Sequence, residues 1–238
     1  KNKINLNIKI CRLRFAKIQK LKPIKNFNII KSSKDAYIIF TSGTTGKPKG
    51  VRISRKSLDH YVMWITKKFY KDYRIRCSQQ PGIGFDLSVA DIYGTICSGG
   101  TLYPLKDTFD SVFLNKFIRN NNLTHWVSVP SAIDIICNKK ICKKGDLTSL
   151  KKMLFCGEVL KKIHVEKIFN QNKNVKILNT YGPTETTVSC TELLLTYKNF
   201  KKYAYPNVSI GKSIKNMKIG LINKLKKNEG ELYISGPQ

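Results

Sequence analysis

From Ala36 onward the apolar residues of this chain alternate between two periods. Ala36 to Phe40 is a β-branched and aromatic run and reads as a buried strand. Leu58, Tyr61, Val62 and Ile65 fall at i, i+3, i+4 and i+7, which predicts a helix that Ser54 or Ser57 would cap. Short strands follow at 101–105, 124–129, 153–156 and 175–178. Val112, Phe113, Phe117 and Ile118 mark another helix face, with Asp107 to Asp110 at its start. Ile133, Ile136 and Cys137 recur in a helix whose first turn suits Pro130. Residues 163–169 are helical between the last two strands. Strands alternating with helices imply βαβ units and a parallel or mixed sheet, so the predicted class is α/β. Residues 1–34 are basic and lack a clear pattern, and no repeat or long linker divides 35–238.

In such sheets ligands sit beyond the carboxyl ends of strands. Three polar turns stand at those places. The first runs through Thr41, Ser42, Gly43, Thr44, Thr45, Gly46 and Lys47 to Gly50. Backbone N–H groups freed in a turn of small residues form anion-binding nests. Glycine lets the backbone approach a phosphate closely, and Lys47 and Lys49 add positive charge. The string is not a Walker A loop, because Pro48 follows Gly46-Lys47 and Thr41 stands where the first glycine belongs. The second turn is Cys156-Gly-Glu158. The third runs through Asn179, Thr180, Tyr181, Gly182, Pro183, Thr184 and Glu185. There a purine can stack on Tyr181, Thr184 can donate to a phosphate, and Glu185 can ligate Mg²⁺ through oxygen.

Composition excludes more than it assigns. The 238 residues suffice for a substantial core. The formal net charge of +29 invites a nucleic-acid reading, but only seven of the 44 basic residues are arginine and they form no patch. Arginine is the preferred side chain for bidentate phosphate and base recognition, so nucleic acid is not the expected partner. An acidic protein partner fits the charge better. The seven cysteines form no C-x-x-C pair, and Cys137 and Cys142 lack the companions of a zinc set. His60, His125 and His164 sit in no nucleophile motif. No apolar stretch reaches the roughly 18 residues of a membrane span, and no signal-peptide pattern opens the chain. Reduced thiols and a cytoplasmic location without membrane insertion are expected.

The hydroxyl-rich turn resembles the phosphate-binding signature of the adenylate-forming enzymes, and Tyr181 to Glu185 resembles a second hallmark of that superfamily at the interval the family uses. Gly230 to Gly236 is similar to its next, more structural motif. Phe85-Asp-Leu-Ser88 resembles the amino-acid-activating branch, where the aspartate pairs with the substrate's α-ammonium group. By residue type alone Asp86 is also a good helix N-cap. A fatty-acyl or aryl substrate would leave that carboxylate uncompensated. Phe155 to Leu160, with Cys156 where the family commonly has glycine, narrows the similarity to ligases that load D-alanine onto a carrier protein in teichoic acid D-alanylation.

The resemblance implies an adenylate-forming large domain, ATP and Mg²⁺ as cofactors, and a phosphopantetheinylated carrier protein as partner. It makes Thr184 and Glu185 the candidate catalytic groups. It also makes Val188 a contact for the substrate methyl group, and Cys156 a selector for the D-enantiomer. It further implies that 1–34 is a remnant of the upstream part of the large domain. A ribose-binding aspartate, a hinge and a lysine-bearing mobile domain would follow Gln238. A fragment of that extent is expected to have little adenylation activity by itself.

Overall fold

The computed structural model describes residues 34–41, 47–71, 74–105, 112–226 and 229–238. The segment 1–33, Ser42 to Gly46, and Asp107 to Asp110 lie outside the described residues.

Strands β1 (Asp35–Thr41) and β2 (Lys49–Ser54) pair antiparallel as a two-stranded ribbon. Helix α1 (Arg55–Lys68) follows, and the Ser54 hydroxyl accepts the Ser57 N–H at 3.1 Å to satisfy one of its free donors. Its buried face carries Leu58, Tyr61 and Ile65. Next come β3 (Arg76–Gln79), α2 (Leu87–Cys97), β4 (Thr101–Pro104), α3 (Leu114–Asn120), β5 (His125–Ser128), α4 (Ala132–Ile136), β6 (Lys152–Phe155), α5 (Lys162–Gln171) and β7 (Lys176–Tyr181). A 3₁₀ turn at Thr184–Thr186 leads to β8 (Thr191–Leu195), α6 (Phe200–Tyr203), β9 (Lys212–Ser213), and the hairpin β10 (Lys218–Lys226) and β11 (Glu229–Ser235).

The main sheet has seven strands in the order β4-β3-β5-β6-β7-β8-β9. The first five are parallel, β8 pairs antiparallel with β7, and β9 pairs antiparallel with β8. The α/β class with a mixed, mostly parallel sheet is therefore what the chain adopts. From β3 the chain steps outward to β4, then returns past β3 to β5 and continues the other way. That reversal is a topological switch point, where open α/β sheets form a crevice.

Alternate residues of the inner strands serve two cores. Trp126, Met153, Phe155 and Ile177 join α3, α4 and α5 on one face, while Val127, Leu154, Cys156 and Leu178 join α1 and α2 on the other. A parallel strand covered on both faces needs a continuous apolar run, which explains why Met153 to Cys156 shows no polar alternation. Each large side chain so buried contributes about 1.5–3 kcal/mol relative to exposure.

Some expectations are corrected. The run at Ala36–Phe40 is a strand but not a buried one: Ile38 and Phe40 are 52% and 69% exposed. A ribbon has only one packed face, here using Ala36 and Tyr37 against the α1–α2 core. The hydroxyl-rich turn accordingly leaves the ribbon and not the main sheet. Pro130 precedes α4 instead of opening it, because the chain already turns at Val129, whose carbonyl takes the Ala132 N–H at 3.2 Å. Helix α3 starts at Leu114, after Val112 and Phe113.

Candidate functional site

Four strand ends converge on one cleft of about 520 Å³. Gln80 to Gly82 follow β3, Val129 follows β5, Cys156 to Glu158 follow β6, and Gly182 to Thr184 follow β7. Phe85, Asp86 and Leu87, at the head of α2, close it. The cleft thus lies over the β3/β5 switch point. A second hollow of about 280 Å³ shares Gly157, Glu158, Gly182 and Pro183 with it and adds Asn179, Thr180 and Tyr181.

Asp86 occupies the N-cap position of α2, yet its side chain makes no capping hydrogen bond. Burial pushes its carboxyl up from the ordinary aspartate value. The Thr184 hydroxyl and the N–H groups of Leu87 and Asp86 itself oppose that shift, and the charge of Glu185 adds to it. Residues 86 and 184–185, almost a hundred positions apart, are electrostatic neighbours.

The turn that carries Thr184 is fixed from behind. A Cβ on Gly182 would stand 2.6 Å from the Ser189 Cα and 2.8 Å from the Val188 carbonyl oxygen, so only glycine fits without backbone movement. Thr187 and Val188 take positive φ of 54° and 71°, a conformation unusual for β-branched residues. The fold-back is held by the Cys190 N–H on the Tyr181 carbonyl (2.8 Å) and the Tyr181 N–H on the Thr191 hydroxyl (3.1 Å).

Cys156 is buried in the cleft wall and donates to the Val188 carbonyl at 3.4 Å. Burial pushes its thiol up, so it stays protonated at neutral pH and is no nucleophile. The side chain of Val188 is 1% exposed and packs in the α1–α2 core beside Cys156. Among the cleft's described lining, Val188 and Glu185 do not appear. Glu185 is exposed and has no ion-pair partner among the described residues. Asn179 and Thr180 are buried. Their side chains donate to the Ser209 carbonyl (2.9 Å) and the Phe155 carbonyl (3.1 Å) respectively. Tyr181 is 38% exposed, leaving its ring partly free.

Thr41 is half-buried and Lys47 exposed, while Ser42 to Gly46 lie outside the described residues. Strand β2, which leaves that turn, packs against the Thr184–Thr186 turn, so the two turns are linked through the ribbon. Residue patterns did not single out Gln80 or Val129 as site residues, and placed Glu158 in the second polar turn without a role for its side chain. Glu158 accepts from the Ser131 N–H and hydroxyl, and its sequence signal is its place in the polar turn that follows β6. No cluster of three or more His, Cys, Asp or Glu side chains fit for a metal occurs among the described residues.

A lone exposed carboxylate such as Glu185 suits a hard cation that takes its other ligands from phosphate and water.

Comparisons with known proteins bear on the fold and the family. The chain is 37% identical over 197 residues to a D-alanine–D-alanyl carrier protein ligase of Listeria monocytogenes serotype 4b (strain F2365), covering 82% of this chain and 38% of that protein. It is 37% identical over 210 residues to the ligase of the same name from Lacticaseibacillus rhamnosus, covering 84% and 41%. The chain thus spans about two fifths of the length of these relatives. Among solved structures, the Vibrio cholerae adenylation domain AlmE in complex with glycyl-adenosine-5′-phosphate superimposes with a TM-score of 0.73 at 31% identity, over 86% of this chain and 37% of that one. IdnL7 superimposes with a TM-score of 0.78 at 27% identity, over 87% and 42%. Residues 13–238 match the AMP-binding enzyme family, and the chain belongs to it.

Proposed function

We propose that the protein of which these residues form part activates a small amino acid, D-alanine in the first place, as its aminoacyl-adenylate and passes it to the phosphopantetheine thiol of a carrier protein. The observation that carries this reading is Asp86, a half-buried carboxylate in the cleft wall with the Thr184 hydroxyl and the Glu185 charge beside it. In this reading residues 35–238 are the AMP-binding core, and 1–34 belong to the preceding part of the same domain.

Asp86 would pair with the substrate's α-ammonium group, since a cation relieves the cost of burying the carboxylate. The substrate carboxylate then attacks the α-phosphorus of ATP, forming an acyl–phosphate bond as pyrophosphate leaves. Thiol attack on the acyl carbon breaks that bond, giving the thioester and AMP. The chain's own work is alignment and charge neutralisation. Thr41 to Lys47 and Thr184 would hold phosphates, Tyr181 would offer its ring to the adenine, and Asn179, Thr180, Gly182 and Pro183 would shape its hollow. Glu185 would hold Mg²⁺, which when bound screens the phosphate charge. Cys156 and Val188 would limit the side chain to methyl size. The excess of lysine suits an acidic carrier. The cysteines described are all free, in keeping with a cytoplasmic protein.

A second reading keeps the chemistry and changes the substrate. The 31% identity to a domain solved with glycyl-adenosine-5′-phosphate favours another small amino acid. ATP–pyrophosphate exchange by the full-length protein with D-alanine, L-alanine, glycine and L-serine decides between them. Exchange driven best by D-alanine supports the first reading; exchange with none of the four refutes both.

A further inference from the structure

Tyr61 is fully buried on α1, in the same apolar cluster as Cys156 and Val188. Its hydroxyl completes no hydrogen bond of good geometry: the Ser189 hydroxyl stands as an imperfect partner, and Cys156, Asp86 and Tyr37 are its other polar neighbours. An orphaned buried hydroxyl is costly, so this one calls for an explanation. Ser189 does not satisfy it by donation. Its single proton is directed to the Thr180 hydroxyl at 3.1 Å, with the Cys156 sulfur at 3.7 Å. Thr180 in turn donates to the Phe155 carbonyl and Cys156 to the Val188 carbonyl. Among these groups the Tyr61 hydroxyl, like that of its neighbour Tyr37, has no acceptor in place.

Cys156 belongs both to the lining of the cleft and to this cluster. Its side chain is therefore the layer between the substrate space and the hydroxyls behind it. A hydrocarbon pushed into that layer would leave the Tyr61 hydroxyl unpaired, whereas a side-chain hydroxyl would accept its proton. Sites that offer an unmet hydrogen bond discriminate far more strongly than sites that differ by a methylene.

We infer that Tyr61 is a specificity-determining residue: the side-chain end of the amino-acid site closes on a polar floor, formed by the Tyr61 and Ser189 hydroxyls behind Cys156, which selects hydroxylated over hydrocarbon side chains once the substrate exceeds alanine in size. The inference rests on the amino-acid-activating reading above and adds the chemistry of the side-chain subsite.

The test uses pyrophosphate exchange by the full-length protein with alanine, serine and 2-aminobutyrate, each in the enantiomer the wild type accepts. Cys156→Ala removes one heavy atom, the room that serine and 2-aminobutyrate both need. In that variant kcat/KM for serine should exceed that for 2-aminobutyrate by about tenfold, and adding Tyr61→Phe should abolish the preference. Equal use of the two substrates by Cys156→Ala, or a ratio that Tyr61→Phe leaves unmoved, overturns the inference. A purely structural role for Tyr61 would lower all three substrates alike. If Cys156→Ala proves unfolded by circular dichroism, Tyr61→Phe alone decides: a fall in the serine-to-alanine ratio supports the floor, and an unchanged ratio overturns it. A wild type that exchanges with none of the three refutes the amino-acid reading itself. Wild-type exchange combined with an unmoved ratio refutes only the floor.

Discussion

The carboxylate of Glu158 accepts both the backbone N–H of Ser131, at 2.9 Å, and its hydroxyl, at 3.1 Å. The pair ties the turn after β6 to the N-cap of α4, which follows the neighbouring strand β5, on one side of the crevice where the sheet changes direction. Glu158 lines both hollows, and a loose carboxylate there would repel incoming phosphates. Glu158→Ala should lower stability by about 1 kcal/mol, the net worth of such a bond. It should also raise KM for ATP, as the freed turn loses its shape. Glu158→Gln, which keeps one acceptor oxygen, should recover part of both. Thermal melts and pyrophosphate exchange on the three proteins check this; an Ala variant with unchanged KM for ATP would count against it.

Asp86→Asn keeps the shape of the side chain and removes its charge. If Asp86 holds the substrate ammonium, KM for the amino acid should rise by about two orders of magnitude, the usual cost of unpairing a buried charge. KM for ATP should change far less. The wild type should lose kcat/KM on acidification at a pH above the ordinary aspartate range, because burial raises this carboxyl. Stability runs the opposite way. A carboxyl raised on folding penalises the native state as pH rises from its unfolded value through its folded one, so the Asn variant should melt no lower than the wild type at neutral pH. A variant whose amino-acid KM is unaltered would remove Asp86 from the site.

These two residues show what the sequence could and could not disclose. The inner strands were legible because a doubly covered parallel strand must be apolar throughout, and Met153 to Phe155 is. Motif spacing named Asp86 and Thr184 but not their proximity in one cleft, which arises from the register of β3, β5, β6 and β7. Strand β3 (Arg76, Cys77, Ser78, Gln79) was illegible because a single apolar residue gives no period; it is recruited by its neighbours on both sides. The exposure of Phe40 was misread for a related reason. An apolar run signals a strand but not whether both of its faces will be covered.

Gly182→Ala tests the close approach behind the Thr184 turn. The added methyl would meet backbone atoms on three residues, at 2.6 Å from the Ser189 Cα, 2.8 Å from the Val188 oxygen and 2.9 Å from the Cys190 nitrogen. Backbone yields less readily than a side-chain tip, and overpacking costs about 1–3 kcal/mol. The melting temperature should fall accordingly, and nucleotide affinity with it, since Gly182 lines both hollows. Gly84→Ala, where an added Cβ meets nothing within 4 Å, should show no comparable loss. Equal melting temperatures for the two variants would mean that the turn relaxes freely.

Asp91, also on α2, has no exposed surface, and its carboxyl oxygens complete no hydrogen bond of good geometry. Burial pushes its pKa up to about 8, against weaker opposition from the N–H groups of Ile92 and Gln80. The sign follows from linkage. In the unfolded chain the group titrates near 3.8 and in the folded chain near 8, so folding binds a proton throughout that window. The stability it allows is complete below the lower value, declines as pH rises, and is gone above the upper one. The slope is at most about 1.4 kcal/mol per pH unit. Asp91→Asn, neutral at every pH, escapes this. Its melting temperature should stand close to that of the wild type near pH 4, pull ahead steadily toward pH 8, and hold a constant lead beyond. Parallel melting curves for the two proteins between pH 5 and pH 9 would show instead that Asp91 is already ionised in the native fold, with a partner that stabilises its charge.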